Sequence, residues 1–109
     1  MPVHDTIYQA RFLLPDLIER DRTNTLQCPV YKDGALVSPS SGTVSIFNAS
    51  NEAVVSSASV TIGGSLASYA LSAVTLSGRA LEDGWRAEWA LAMPDGQTHT
   101  FRNSAALVR

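Results

Sequence analysis

Hydrophobic and polar positions alternate with a period of two through most of the chain. In residues 24–30, one side of such a segment carries Leu26, Cys28 and Val30. Successive side chains of a β-strand point to opposite faces of a sheet, so this pattern predicts a half-buried strand. Pro29 has no backbone N–H for a central strand, which predicts a sheet edge or a bulge at this point.

Turn sequences separate the alternating segments. Asp33-Gly34 supplies residues that tolerate positive φ, as a tight hairpin requires, and predicts that the first strand pairs with residues 35–37. In residues 43–48, Val44 and Ile46 fall on one face and predict another strand. Gly63-Gly64 predicts a further hairpin.

Three more segments alternate, and one stretch has no clear pattern. Strands are predicted at residues 53–55, 59–62 and 66–71, the last two flanking the Gly63-Gly64 turn. Residues 72–82 fit a crossing loop, a strand or one helical turn, and the sequence leaves these three interpretations open.

The only two tryptophans, Trp85 and Trp89, lie in the stretch DGWRAEWALAMPDGQTHTF. Their spacing suits one face of a helix and also one face of a strand. Residues 93–96 have Pro and Gly at the favoured positions of a type I turn, so a β-hairpin over residues 84–102 is predicted. Core packing is the preferred role for both indoles, with Arg86 and Glu88 exposed; an exposed platform for sugar rings is the alternative.

Short strands separated by turns, without a sustained helical period, predict an all-β fold, an immunoglobulin-like antiparallel β-sandwich. Residues 1–22 are predicted to be an N-terminal arm and residues 23–109 the sandwich domain. The positions assigned to the core are Leu26, Cys28, Val30, Val44, Ile46, Trp85, Trp89 and Leu91.

Composition limits the class of protein. The chain has 109 residues, enough for one core. Its net charge of -2 gives no basic footprint for nucleic acid. The start has no basic segment followed by a long apolar run, so neither an export signal nor a membrane contact is expected. Cys28 is the only cysteine, which excludes an internal disulfide and a multi-thiolate metal site.

Chemical motifs give no support for catalysis. The sequence has no nucleophile elbow, no phosphate-binding loop and no His/Cys cluster. Asp95 and His99 flank the last turn and are a candidate catalytic acid–base pair or metal site, but two polar groups are too few for a typical site. No enzyme activity, metal or cofactor is therefore expected.

The order of the motifs carries a family resemblance. VYKDGALVSPSSGTVSIFNASNEAVV, then ASYAL, then DGWRAEWALAMPDGQTHTF resemble the immunoglobulin-like β-sandwich domains of tailed-bacteriophage virion proteins. These include the N-terminal domains of baseplate upper proteins and small neck or head-associated proteins. The matching features are an early D-G hairpin, G-T-V before a short strand, and a final hairpin with two tryptophans closing at D-G.

The resemblance implies a structural protein of the virion, a head–tail connector, neck or head-associated component synthesised in the cytoplasm of the bacterial host. The implied partners are other virion proteins, such as portal, neck, tail or major capsid protein, and further copies of the chain in a symmetric homo-oligomer. A carbohydrate-binding or host-recognition module of the tail or baseplate is the alternative.

The N-terminal arm contains apolar residues that the predicted sandwich does not accommodate. Because such groups need burial, we expect the arm to dock on a neighbouring subunit. The predicted interface residues are Ile7, Phe12, Leu13, Leu14, Leu17 and Ile18.

Overall fold

The computed structural model describes residues 8–11 and 16–109 of the chain. Strands make up 63% of these residues and helix 4%, which confirms the all-β class. The elements in chain order are β1 (Gln9–Ala10), β2 (Asp16–Glu19), β3 (Asn24–Cys28), β4 (Val30–Lys32), β5 (Ala35–Val37), β6 (Ser41–Phe47), β7 (Ala53–Ser59), β8 (Thr61–Gly63), β9 (Leu66–Leu71), α1 (Ala73–Leu76), β10 (Glu82–Ala92) and β11 (Thr98–Val108).

The strands of the described residues form three sheets. The largest has five strands in the order β2-β11-β10-β6-β7, and two three-stranded sheets have the orders β1-β4-β5 and β3-β9-β8. All neighbouring strands are antiparallel except β2 and β11, which run parallel. The expectation of a purely antiparallel fold is therefore corrected at this edge.

Local turn chemistry determines the hairpins. Asp33 and Gly34, with φ of 55° and 80°, form the two-residue turn between β4 and β5. Positive φ at both positions matches the right-handed twist of the flanking strands. At the end of β10, the N–H of Gly96 donates to the carbonyl of Met93 at 3.0 Å, closing the predicted turn.

Pro29 divides the first predicted strand between two sheets. β3 pairs with β9, whereas β4 pairs with β5 and β1. The N–H of Arg11 donates to the carbonyl of Pro29 at 3.0 Å, so the partner at this junction comes from the N-terminal segment. Residues 72–82, left open by the sequence, contain the single helical turn α1, whose first turn is capped by the Ser72 hydroxyl.

One buried cluster joins the inward faces of the three sheets. All eight residues assigned to the core from the sequence lie in it, and both indoles are at most 1% exposed. Nine further members come from β2, β7, β9, β10, β11, α1 and the turn after β10: Ile18, Val55, Ala67, Leu71, Leu76, Ala87, Met93, Ala105 and Leu107. The shared cluster gives the fold its β-sandwich-like character.

Part of the predicted arm belongs to the largest sheet. β2 pairs with residues 105–108 of β11, and the N–H of Arg20 donates to the carbonyl of Val108 at 2.7 Å. Ile18, predicted to contact another subunit, lies instead in the domain's own core at 1% exposure. Successive side chains of β2 point to opposite faces of the sheet. Ile18, whose register partner on β11 is Leu107, therefore points inward, and Leu17 points outward.

Candidate functional site

The outward surface of the three central strands of the largest sheet is a candidate protein interface, which we call the outer face. Val44, Ile46 and the tryptophans point inward, so the intervening residues of β6, β10 and β11 point outward. Strand register aligns nine of them in three rows: Thr43–Ala90–Thr100, Ser45–Glu88–Arg102 and Phe47–Arg86–Ser104.

Arg86, Glu88 and Arg102 form a charged triad at the centre of the outer face. The same carboxylate oxygen, Glu88 Oε2, lies 2.8 Å from Arg86 Nε and 3.5 Å from Arg102 Nε. Two guanidinium groups therefore share one carboxylate, and the triad has a net charge of +1. The other six positions of the outer face are uncharged.

Arg86 is held in place from several directions. Its guanidinium carbon lies 4.3 Å from the centroid of the Phe47 ring, a distance typical of a cation–π contact. Its Nη1 donates to Asn51 Oδ1 in the turn between β6 and β7. Asn51 has a φ of 68°, a conformation that Asn tolerates better than most residues.

Arg102 is much less constrained than Arg86. Its side chain is 69% exposed, against 35% for Arg86, and its described ionic contact is the 3.5 Å approach to Glu88. The Arg102 guanidinium therefore has donors directed toward solvent. The outer face thus combines one fixed arginine with one available arginine.

The tryptophan pair lies on the opposite surface of β10. Trp85 Nε1 donates to Glu82 Oε2 at 2.8 Å, and Trp89 Nε1 donates to Asn103 Oδ1 at 3.2 Å. Each buried indole N–H thus has a partner, as a buried tryptophan requires. Because neither ring is accessible, the pair provides no platform for a sugar.

Asp95 and His99 meet beside the turn that joins β10 and β11. His99 Nε2 lies 2.8 Å from Asp95 Oδ2, and the His99 ring contacts the Tyr8 ring at a centroid distance of 4.9 Å. The backbone N–H of Gln97 donates to Asp95 Oδ1 at 2.9 Å. This hydrogen bond, followed by that of His99, lowers the pKa of Asp95 below its ordinary value of 3.8.

The Asp95–His99 pair connects the hairpin tip to the N-terminal segment. Tyr8 precedes β1, and the Lys32 ammonium lies 5.6 Å from the centroid of the Tyr8 ring. Among the described residues, no group of three His, Cys, Asp or Glu side chains is arranged to hold a metal ion. The contacts of Asp95, His99 and Tyr8 thus hold the turn between β10 and β11 against the segment that precedes β1.

An open depression of about 460 Å³ lies near the opposite end of β11. Its lining includes Arg20 and Asp21, whose side chains approach to 3.6 Å. Arg20 also donates through Nη1 to the carbonyl of Arg79 at 2.9 Å. The charged groups of the depression thus bind one another or the backbone.

No helix in the described part of the chain is long and apolar enough to cross a membrane.

The predicted interface residues have different outcomes. Leu17 is 64% exposed on the outer side of β2, whereas Ile18 is buried. The other four, Ile7, Phe12, Leu13 and Leu14, lie outside the described residues.

Sequence reasoning identified only part of the triad. The sequence predicts that Arg86 and Glu88 lie on an exposed surface, but it does not predict that Phe47, Asn51 and Arg102 lie beside them. The position of Arg102 could have been predicted from the sequence, because a hairpin loop centred on residue 95 places Arg102 opposite Glu88. Phe47 and Asn51 required the pairing of β10 with β6, which no local signal specifies.

Comparison of the chain with protein-family models, curated proteins and solved structures found no match.

Proposed function

We propose that this protein is a non-enzymatic structural component of a tailed-bacteriophage virion, located at the head–tail neck or on the head. In this role, an immunoglobulin-like β-sandwich mediates contacts between subunits. The observation that carries the proposal is the outer face. It carries its three charged residues as one central triad, contains no lysine, and has an Arg–Phe pair in one of its rows.

The composition of the outer face supports protein contact over other functions. Protein interfaces are enriched in Arg and aromatic residues and depleted in Lys, and the outer face has Arg86, Arg102 and Phe47 but no lysine. A net charge of -2 for the chain disfavours a nucleic-acid channel.

The proposed partners are further copies of the chain, arranged around a symmetry axis, and other virion proteins such as portal, neck, tail or major capsid protein. Closed symmetric assemblies repeat one contact many times, so a rigid subunit suits this role. No observation favours the carbohydrate-binding alternative, because both tryptophan side chains are buried.

The test is incorporation into particles. The chain is tagged at its C-terminus in the genome that encodes it, and tailed particles are purified by density gradient. We expect the tag to sediment with intact particles at a fixed ratio to the major capsid protein. Recovery of the tag only in the soluble fraction would contradict the proposal.

A further inference from the structure

The Arg86–Glu88–Arg102 triad has unequal numbers of guanidinium and carboxylate groups. Both arginines approach one oxygen of Glu88, at 2.8 and 3.5 Å. A carboxylate has about four lone-pair sites and accepts arginine best in a bidentate arrangement. The long contact and the 69% exposure of Arg102 indicate that its guanidinium lacks such a partner.

We infer that the outer face binds a protein segment that presents a carboxylate to Arg102. The inference rests on the proposed function in taking this face as a subunit interface, and it specifies the chemistry of the partner. Arg86, stacked on Phe47 and bound to Glu88, fixes the position of the triad. Arg102 supplies the free donors, and Thr100 and Ser104 supply hydroxyl groups on either side of it along β11.

Charge selects this partner over two others. Two copies placed face to face bring two triads of net charge +1 together, and like charges opposed at an interface disfavour binding. A nucleic acid requires several phosphate contacts for stable binding, and a net charge of +1 supplies few. A surface with one guanidinium that is only partly paired instead suits a segment whose only charged residue is an Asp or Glu.

The test uses the full chain and two synthetic peptides observed by NMR. In one peptide Asp alternates with Ser and Thr, and in the other Asn replaces every Asp. We expect the Asp peptide to shift the Nε–H resonance of Arg102 and the amide resonances of Thr100 and Ser104. We expect the Asn peptide to leave them unchanged.

Two variants separate the role of Arg102 from general surface charge. Arg102→Gln should weaken binding of the Asp peptide by about tenfold, a typical loss for one charge-assisted contact. Arg22→Gln is the matched control, since the Arg22 side chain is 70% exposed and pairs with Glu19 at 2.7 Å on another surface. Binding should be unchanged in this variant.

Glu88→Gln tests the competition for the guanidinium groups. Removing the internal carboxylate raises the triad to +2, so we expect the Asp peptide to bind several-fold more tightly. A variant that loses only a structural contact would not gain affinity. Circular dichroism of each variant verifies that the sheet is intact.

Four results of the peptide measurements would overturn the inference: no response to the Asp peptide, equal binding of both peptides, equal loss in Arg22→Gln, or displacement of the Asp peptide by oligothymidylate. Sedimentation of the chain alone provides the remaining comparison. A dimer that Arg102→Gln dissociates would assign the face to a second copy and also overturn it. These measurements do not depend on particle incorporation, so the proposed function and this inference fail separately.

Discussion

Trp89 on β10 donates a hydrogen bond of 3.2 Å from its indole nitrogen to Oδ1 of Asn103 on β11, and its ring is fully buried. The amide of Asn103 thus satisfies the one polar group of a large core residue. This relationship links the longest hairpin of the domain to the packing of its core.

Replacing Trp89 by Ala should lower the free energy of unfolding by about 3–5 kcal/mol, since it removes buried area and leaves a cavity. Val74→Ala is the control, because Val74 is 84% exposed and should change stability by no more than about 0.5 kcal/mol. Urea unfolding followed by circular dichroism measures both. Equal stability of Trp89→Ala and the unaltered protein is incompatible with a core role.

Gly42 on β6 should not tolerate a side chain. A Cβ at this position would lie 2.5 Å from Leu91 Cδ2 and 2.7 Å from the carbonyl oxygen of Ala90. Because one of these atoms belongs to the backbone, Gly42→Ala should cost about 1–3 kcal/mol through overpacking.

Gly63 on β8 is the matched control for Gly42. It also lies in a strand, and a Cβ there meets nothing within 4 Å. Gly63→Ala should therefore be neutral or stabilise by up to about 1 kcal/mol. Denaturant midpoints of the two variants provide the measurement; a larger loss in Gly63→Ala would show that the close approach at Gly42 is not the cause.

Leu17 and Ile18 should respond differently to the same change. Ile18→Ala should lower the free energy of unfolding by about 2–5 kcal/mol, because Ile18 on β2 is buried in the core. Leu17→Ala should change stability by about 0.5 kcal/mol at most, since its side chain is 64% exposed. Thermal unfolding of both variants tests the assignment of β2 to the sheet; equal effects would contradict it.

The position of β2 also determines the expected result of truncation. Removing residues 2–22 deletes a strand that pairs with residues 105–108 of β11. We therefore expect this truncation to destabilise the domain, whereas an arm wholly outside the sheet would be dispensable for folding.

Asp95 should contribute stability that is lost in acid. Its folded-state pKa lies below the ordinary 3.8, chiefly because the Gln97 N–H donates to it and then because His99 does. A carboxyl group with a depressed pKa stabilises the fold above its unfolded pKa, and this contribution disappears as the pH falls through the folded value. The stability difference between the unaltered protein and Asp95→Asn should therefore shrink below about pH 3.8.

Carbon-13 NMR titration of the Asp95 carboxyl provides the direct measurement. We expect its midpoint to lie below 3.8 in the unaltered protein and to rise toward 3.8 in His99→Ala. Because Gln97 provides the larger effect, the midpoint in His99→Ala should remain below 3.8. A midpoint above 3.8 in the unaltered protein would contradict this assignment.

Features set by local chemistry were accessible from the sequence. The turn at Asp33-Gly34 has the positive φ values expected of a tight hairpin. The hairpin predicted at Gly63-Gly64 also forms, but its two turn residues lie one position later, at Gly64 and Ser65, with φ of 58° and 65°. Alternation assigned eight positions to the core, and all of them lie in the buried cluster. Period-two patterning identifies the inward side of a strand without specifying which strand lies beside it.

Features set by distant pairing were not accessible. The four residues of β2 include only one inward apolar side chain, Ile18, and no periodicity can be read from it. The division of residues 24–32 between two sheets depends on which strand accepts each half. The triad has the same origin, because its arginines come from β10 and β11 and its aromatic support from β6.

Cryo-electron microscopy of the tailed particles whose genome encodes this chain would test the structural role in the virion. We expect density for the β-sandwich domain in symmetry-related copies at the neck or on the head. The outer face of each copy should lie against another protein, with a carboxylate within hydrogen-bonding distance of Arg102. Particles that are complete and infectious without this chain, and that contain no density for it, would contradict the proposed function.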